Sequence, residues 1–189
     1  MAPEKKIVQG VGKMYAGRAS SSPIVDLFIT LLSMGMNGYK GLLSDRQEML
    51  KTFPSRLEEV AKRYGERLLI CPTNTISFGI TLDNLARPKN EEEQKMEGHA
   101  EYLKAVGKDI SQFGSMLFSR CVSGTRVVPL AQNKTIGDHE FHGFGSSVEG
   151  YPHAYMTAAC AIGLTTVELD EFYLRLDKTF QEKEKLDKK

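Results

Sequence analysis

The chain has 189 residues, 41% of them apolar, enough to bury a core as one domain or as a lobe of a larger one. Its 25 basic and 24 acidic side chains leave a net charge of +1, which excludes a grossly basic nucleic-acid binder and leaves room for a local basic patch. Three cysteines, Cys71, Cys121 and Cys160, are odd in number and far apart, which argues against a disulfide framework or a zinc knuckle.

Those cysteines are expected to be reduced thiols of a cytoplasmic protein. No charged-then-apolar leader opens the sequence, and the apolar run 24–34 is too short to cross a bilayer, so a soluble protein with no membrane partner is expected. One of Ser20, Ser21 and Ser22 caps a helix whose first turn holds Pro23. Residues 24–34 are apolar nearly all round, which predicts a helix buried on most sides. A second helical pattern runs to Gly65, a C-terminal stop, with Pro54 expected to bend or interrupt it. "RLLICP" and "TISFGITL" read as two short strands. The stretch from Arg87 to Gly114 begins as a charged loop or helix start and ends as a packed helix.

Two more strands, "SMLFSRCV" and "TRVVPLA", are predicted on either side of an "SG" turn. A polar, glycine-rich loop follows over 132–152. The pattern closes with two helices, "HAYMTAACAIGL" and 165–189, the second with an apolar face of Val167, Phe172, Leu174, Leu176 and Phe180. This is an α+β pattern: long N-terminal helices, then a small antiparallel sheet over 68–82 and 114–130 with helices on one face. The expected division is a helical segment, 1–65, and a small α+β domain, 66–189.

Candidate chemistry is sparse. His139 and His142 lie three apart in a loop with no third ligand nearby, so two ordinary loop histidines and no metal is the favoured reading. "GFGSS" lacks the third glycine of a dinucleotide fingerprint. Tyr151 and Tyr155 flank Pro152 and are expected to pack the helix after them. Arg120 and Arg126 bracket "CVSGT" at the tip of the predicted hairpin. An arginine pair there is usually a solvated feature, and it can also reach a base edge or phosphates. Arg18 precedes the serine cluster at a helix N-terminus. Guanidinium, free N–H groups and hydroxyls together make a phosphate or carboxylate site, while an arginine pinning a loop fits the spacing equally well.

Four stretches carry a family resemblance: "GKMYAGRASSSPIVDLFITLLSMGMNGYKGLL", "GERLLICPTNTISFGITL", "QFGSMLFSRCVSGTRVVPL" and "FHGFGSSVEGYPHAYMTAACAIG". In order and over nearly the whole chain, they resemble the C-terminal part of the O-phosphoseryl-tRNA(Sec):selenocysteinyl-tRNA synthase family. The resemblance implies an aspartate-aminotransferase-like fold that uses pyridoxal 5'-phosphate as an electron sink. It implies a homotetramer that converts phosphoseryl-tRNA(Sec) to selenocysteinyl-tRNA(Sec), with selenophosphate as selenium donor. Phosphate leaves Cβ and selenium adds to the dehydroalanyl group. By the same likeness Arg18 and Ser20 bind the substrate phosphate. Arg120 reads the unpaired base before CCA at the tRNA acceptor end, and Arg126 supports tRNA binding through phosphate or the turn.

The family's cofactor lysine lies upstream of the segment matching Met14–Asp26, and Lys5, Lys6 and Lys13 sit in no matching motif. The chain is therefore expected to lack a catalytic lysine, to bind no pyridoxal phosphate and to be inactive alone. Three features depart from the family pattern: a charged insertion near 87–102, Ala16 in place of proline, and His142 in place of arginine. Two rival readings stay open, a non-catalytic tRNA-binding or adaptor module and part of another enzyme of the same fold, such as a cysteine desulfurase relative.

Overall fold

The computed structural model describes residues 5–14, 20–146, 148 and 150–187. The chain divides into two compact units, Met1–Gly41 and Leu42–Lys189. In the first lie α1 (Lys5–Met14) and the start of α2 (Ser22–Leu50). The Ser22 amide donates to Ser20 Oγ at 3.2 Å, and Ser21 O accepts the amides of Ile24 and Val25, so the serine cluster caps the helix as expected. α2 breaks at Gly35, whose φ of 64° and ψ of 176° belong to a region open only to glycine.

The apolar run is not buried. Ile24, Phe28 and Leu32 are 73%, 62% and 66% exposed. An all-round apolar pattern specifies a helix, but a covering surface must come from elsewhere, and the described residues of this unit supply none.

The second unit begins with the end of α2 and a turn at Lys51–Thr52. α3 (Phe53–Arg63) then starts with Pro54 in its first turn, and Gly65, at φ 74°, follows its end. The other helices are α4 (Glu91–Met96), α5 (Ala100–Ser119) and α6 (Thr166–Asp187). The strands are β1 (Leu68–Leu69), β2 (Ser77–Thr81), β3 (Arg126–Val128), β4 (Lys134–Ile136), β5 (His139–Phe141) and β6 (Tyr155–Ala159). One antiparallel sheet has the order β1-β2-β6-β3, and β4 and β5 form a separate hairpin.

Register places Phe78, Ile80, Met156, Ala158 and Val127 on one face, toward α3, α5 and α6. Phe53 of α3 meets Phe78 at 5.4 Å between ring centroids, and Phe180 of α6 stacks on Tyr64 at 4.6 Å. A Cβ at Gly114 would lie 3.3 Å from Val127, so this glycine lets α5 approach the sheet closely. The α+β class and the small antiparallel sheet with helices on one face are as the sequence predicts.

Several element assignments are corrected. Residues 115–119 of "SMLFSRCV" are the last turns of α5, not a strand. Ile110, Phe113 and Leu117 are fully buried at helical spacing, while Phe118 is exposed. "HAYMTAACAIGL" is not a helix but contains β6, hydrogen-bonded to β2 on one side and β3 on the other. Ala154, Met156, Ala158 and Cys160 are buried at every second residue, a strand period beneath a helix-forming composition. The glycine-rich loop holds the β4–β5 hairpin, turned at Gly137 and Asp138. The apolar face of α6 is set by Leu169, Tyr173, Leu176 and Phe180, while Val167 and Leu174 are exposed.

α6 opens with a capping box. The Thr165 amide donates to Glu168 Oε2 at 2.9 Å, and the Glu168 amide donates to Thr165 Oγ1 at 3.2 Å. Thr165→Ala is expected to lower stability by about 1 kcal/mol. Urea unfolding checks this, and an unchanged midpoint would count against it.

Candidate functional site

Arg120 is the C-cap residue of α5. Its Nη1 donates to Met116 O at 3.1 Å, a cation set against the carbonyl end of its own helix. Its Nη2 pairs with Glu182 Oε2 of α6. A quarter of the side chain is exposed. The chain then turns sharply: Cys121 has φ 58° and Gly124 φ 82°. Arg175 of α6 donates through Nη1 to Cys121 O at 3.3 Å, so α6 grips this loop at two consecutive residues. A cavity of about 560 Å³ lies beside the loop, lined by Cys121–Thr125, Phe172 and Arg175 among others.

Arg126 does not share a hairpin tip with Arg120. It opens β3 as an exposed side chain, paired in register with Thr157. The two arginines project from different kinds of element because α5 ends where the first strand was expected. Arg126 lines a shallow cavity of about 330 Å³ with Gln132, Lys134 and Phe144. It also faces Tyr155, whose phenol pKa is raised by burial and drawn back down by the nearby guanidinium.

Ser20 Oγ accepts the Ser22 amide at the start of α2, as described above. Arg18 lies outside the described residues.

The sheet face away from the helices carries a cluster that sequence reasoning missed. His153 Nδ1 lies 2.7 Å from Asp83 Oδ2, and Nε2 lies 2.8 Å from Arg67 Nη2. A guanidinium can only donate, so Nε2 accepts from Arg67 and Nδ1–H donates to Asp83. Tyr151 meets the rings of both His153 and Tyr155 edge-on, in place of the helix packing expected of the two tyrosines. The alternation of His153, Tyr155 and Thr157 against buried Ala154, Met156 and Ala158 is the signal that could have found this face. Beneath it, buried Glu66 accepts the Thr81 hydroxyl at 2.6 Å and the amides of Asp83, Asn84 and Leu85. Burial raises its pKa and these hydrogen bonds pull it back.

His142 is 3.9 Å from Glu140, and no group of three or more His, Cys, Asp or Glu able to hold a metal occurs among the described residues. No helix among them is long and apolar enough to cross a membrane. A pyridoxal phosphate site needs a lysine free to condense with an aldehyde. Lys183, buried to 1% exposure, has Asp109 and Asp187 on its amine instead, and Lys89 shares the same two carboxylates. Neither Lys183 nor Lys89 offers such an amine.

Comparison with known proteins gives a consistent picture. An O-phosphoseryl-tRNA(Sec) selenium transferase of Dictyostelium discoideum is 41% identical over 184 residues, covering 96% of this chain and 37% of its own length. One of Caenorhabditis briggsae is 32% identical, covering 92% of this chain and 32% of its own length. A crystal structure of an archaeal O-phosphoseryl-tRNA(Sec) selenium transferase superposes with a TM-score of 0.59 at 23% identity, over 93% of this chain and 32% of that one, a likeness of fold. The chain thus spans about a third of the length of the relatives it matches. The model of the family described as O-phosphoseryl-tRNA(Sec) selenium transferase matches residues 1–181, and the chain belongs to that family.

Proposed function

We propose that this chain supplies substrate-binding parts of an enzyme that converts O-phosphoseryl-tRNA(Sec) to selenocysteinyl-tRNA(Sec), with selenophosphate as the second substrate. On this reading the whole enzyme is a cytoplasmic homotetramer of aspartate-aminotransferase-like fold. Pyridoxal phosphate is held by the length the relatives have beyond this chain's span. What the chain contributes is binding. Ser20, at the start of α2, and Arg18, two residues before it in the sequence, take the substrate phosphate; helix N–H groups and a guanidinium both favour an anion. Arg120 meets the unpaired base before CCA, and Arg126 meets backbone or supports the sheet edge.

The family match carries the reading, and the state of Arg120 supports its residue-level part. A guanidinium has five N–H donors. Two are engaged here, by Met116 O and Glu182, which leaves three at a partly exposed rim, and a guanine edge needs two.

The test uses four tRNA(Sec) transcripts, one for each base before CCA, and a full-length selenium transferase carrying this segment. Arg120→Ala should lower the preference at that position by ~1–3 kcal/mol, the worth of a good bidentate contact. Arg126→Ala should weaken all four transcripts alike. Equal weakening of all four by Arg120→Ala would reduce Arg120 to a positive charge near the backbone.

A further inference from the structure

We propose that Glu182 is the positioning residue of the tRNA site, fixing from α6 the plane of the Arg120 guanidinium that meets the base. The proposal rests on the base-reading role given to Arg120 above. An arginine side chain turns about several single bonds, and base discrimination requires its planar fork to be presented in one orientation. The bond from Nη1 to Met116 O comes from Arg120's own helix and leaves the fork free to swing about that contact. The pair with Glu182 comes from a second helix and closes that freedom.

Glu182 can do this because its backbone cannot drift. Two residues before it, Phe180 is fully buried, with ring centroids 4.6 Å from Tyr64 and 4.7 Å from Phe113 of α5. One residue after it, Lys183 is bound to Asp109 of α5 and, at 2.8 Å, to Asp187. Aromatic packing and an ion cluster therefore lock α6 to α5 on either side of the carboxylate. Further up the helix, Arg175 holds the carbonyl of Cys121, so the backbone leaving Arg120 is tied down by the same helix.

Glu182 is half exposed, and an exposed ion pair adds little to folding. Its negative charge near an approaching phosphate backbone also works against tRNA affinity in a sequence-independent way. Positioning and affinity should therefore separate: loss of the carboxylate lowers base preference without weakening binding overall.

The experiment measures binding of the same four transcripts, at one salt concentration, to full-length transferase with E182A, E182Q, R120A and R120A/E182A. Expected is a ~10-fold fall in the preference ratio for E182A, within the range of a bidentate contact. The three other transcripts should bind E182A at least as tightly as they bind wild type. E182Q, which keeps an acceptor, should retain most of the ratio, and the double variant should match R120A. A wild-type ratio in E182A together with a lost ratio in R120A overturns the positioning role and leaves base reading by Arg120 intact. An unchanged ratio in R120A overturns both. If E182A loses helical structure, E182M decides, since it keeps a helix-favouring stem without the carboxylate: a ratio near that of R120A supports the proposal, and the wild-type ratio refutes it.

Discussion

A full-length selenium transferase carrying this segment with Arg18→Ala is expected to turn over O-phosphoseryl-tRNA(Sec) about 10²–10³-fold more slowly, the usual cost of losing one group that stabilises charge on a departing oxygen. On the function proposed above, the phosphate leaves as a dianion, which a guanidinium would meet through two parallel N–H bonds. Serine hydroxyls and the first amides at the start of α2 are further donors, and the dipole there also favours an anion. Arg18→Lys should recover only part of the rate, because an ammonium is a point charge without the fork. Single-turnover phosphate release measures both variants. If the alanine variant kept near-normal turnover, Arg18 would be an arginine that pins the loop before α2.

Lys183→Met should destabilise the second unit by about 2–4 kcal/mol at neutral pH, toward the lower side of what breaking a buried ion pair costs. Lys183, Lys89, Asp109 and Asp187 form a closed square of charge joining α5, α6 and the segment before α4. Removing the buried amine leaves two carboxylates to Lys89, which is one-third exposed. The pH dependence carries a sign. Burial alone would raise the Asp109 pKa, but hydrogen bonds from Lys183 and Lys89 outweigh it and hold the value below the ordinary 3.8. Stability from that depression is fully present above 3.8 and is lost as pH falls through the lower folded value. Urea melts between pH 7 and pH 2.5 should therefore show wild type and Lys183→Met converging on the acid side. Parallel curves would mean that Lys183 does not act through Asp109.

Much of the architecture could be read from the chain, and the misreadings share one cause. Helix punctuation is legible where chemistry marks it: a start at Ser20–Pro23, and near Pro54 the interruption at which α2 gives way to α3. β6 was missed because Ala and Met favour helices locally, while its state is decided by β2 and β3, which hydrogen-bond to it from distant parts of the sequence. The end of α5 was misread for the opposite reason. Its bulky apolar residues look strand-like, yet Leu117 is buried by packing that reaches back to Ile110 and Phe113. At the candidate site, Arg120 could be singled out from its motif. Glu182 could not, because an acidic residue on a lysine-rich helix looks like solvated surface until the fold brings α6 beside the end of α5. The Asp83–His153–Arg67 chain was hidden likewise, its members lying roughly seventy and eighty-six residues apart.

The central place of β6 bears on how the protein emerges from a ribosome. Phe78 pairs with Ala158, so β2 is made roughly eighty residues before the strand that completes it. At ~5–20 residues per second, that interval lasts several seconds. Throughout it β2 has only the two-residue β1 beside it, and its other edge stays open to any passing strand. β3 waits as well, since its sheet partner is the same late strand. Closure is a single late event that joins both halves of the sheet at once, and a ribosome stalled before Tyr155 would hold a nascent chain with two bare edges and nothing to join them.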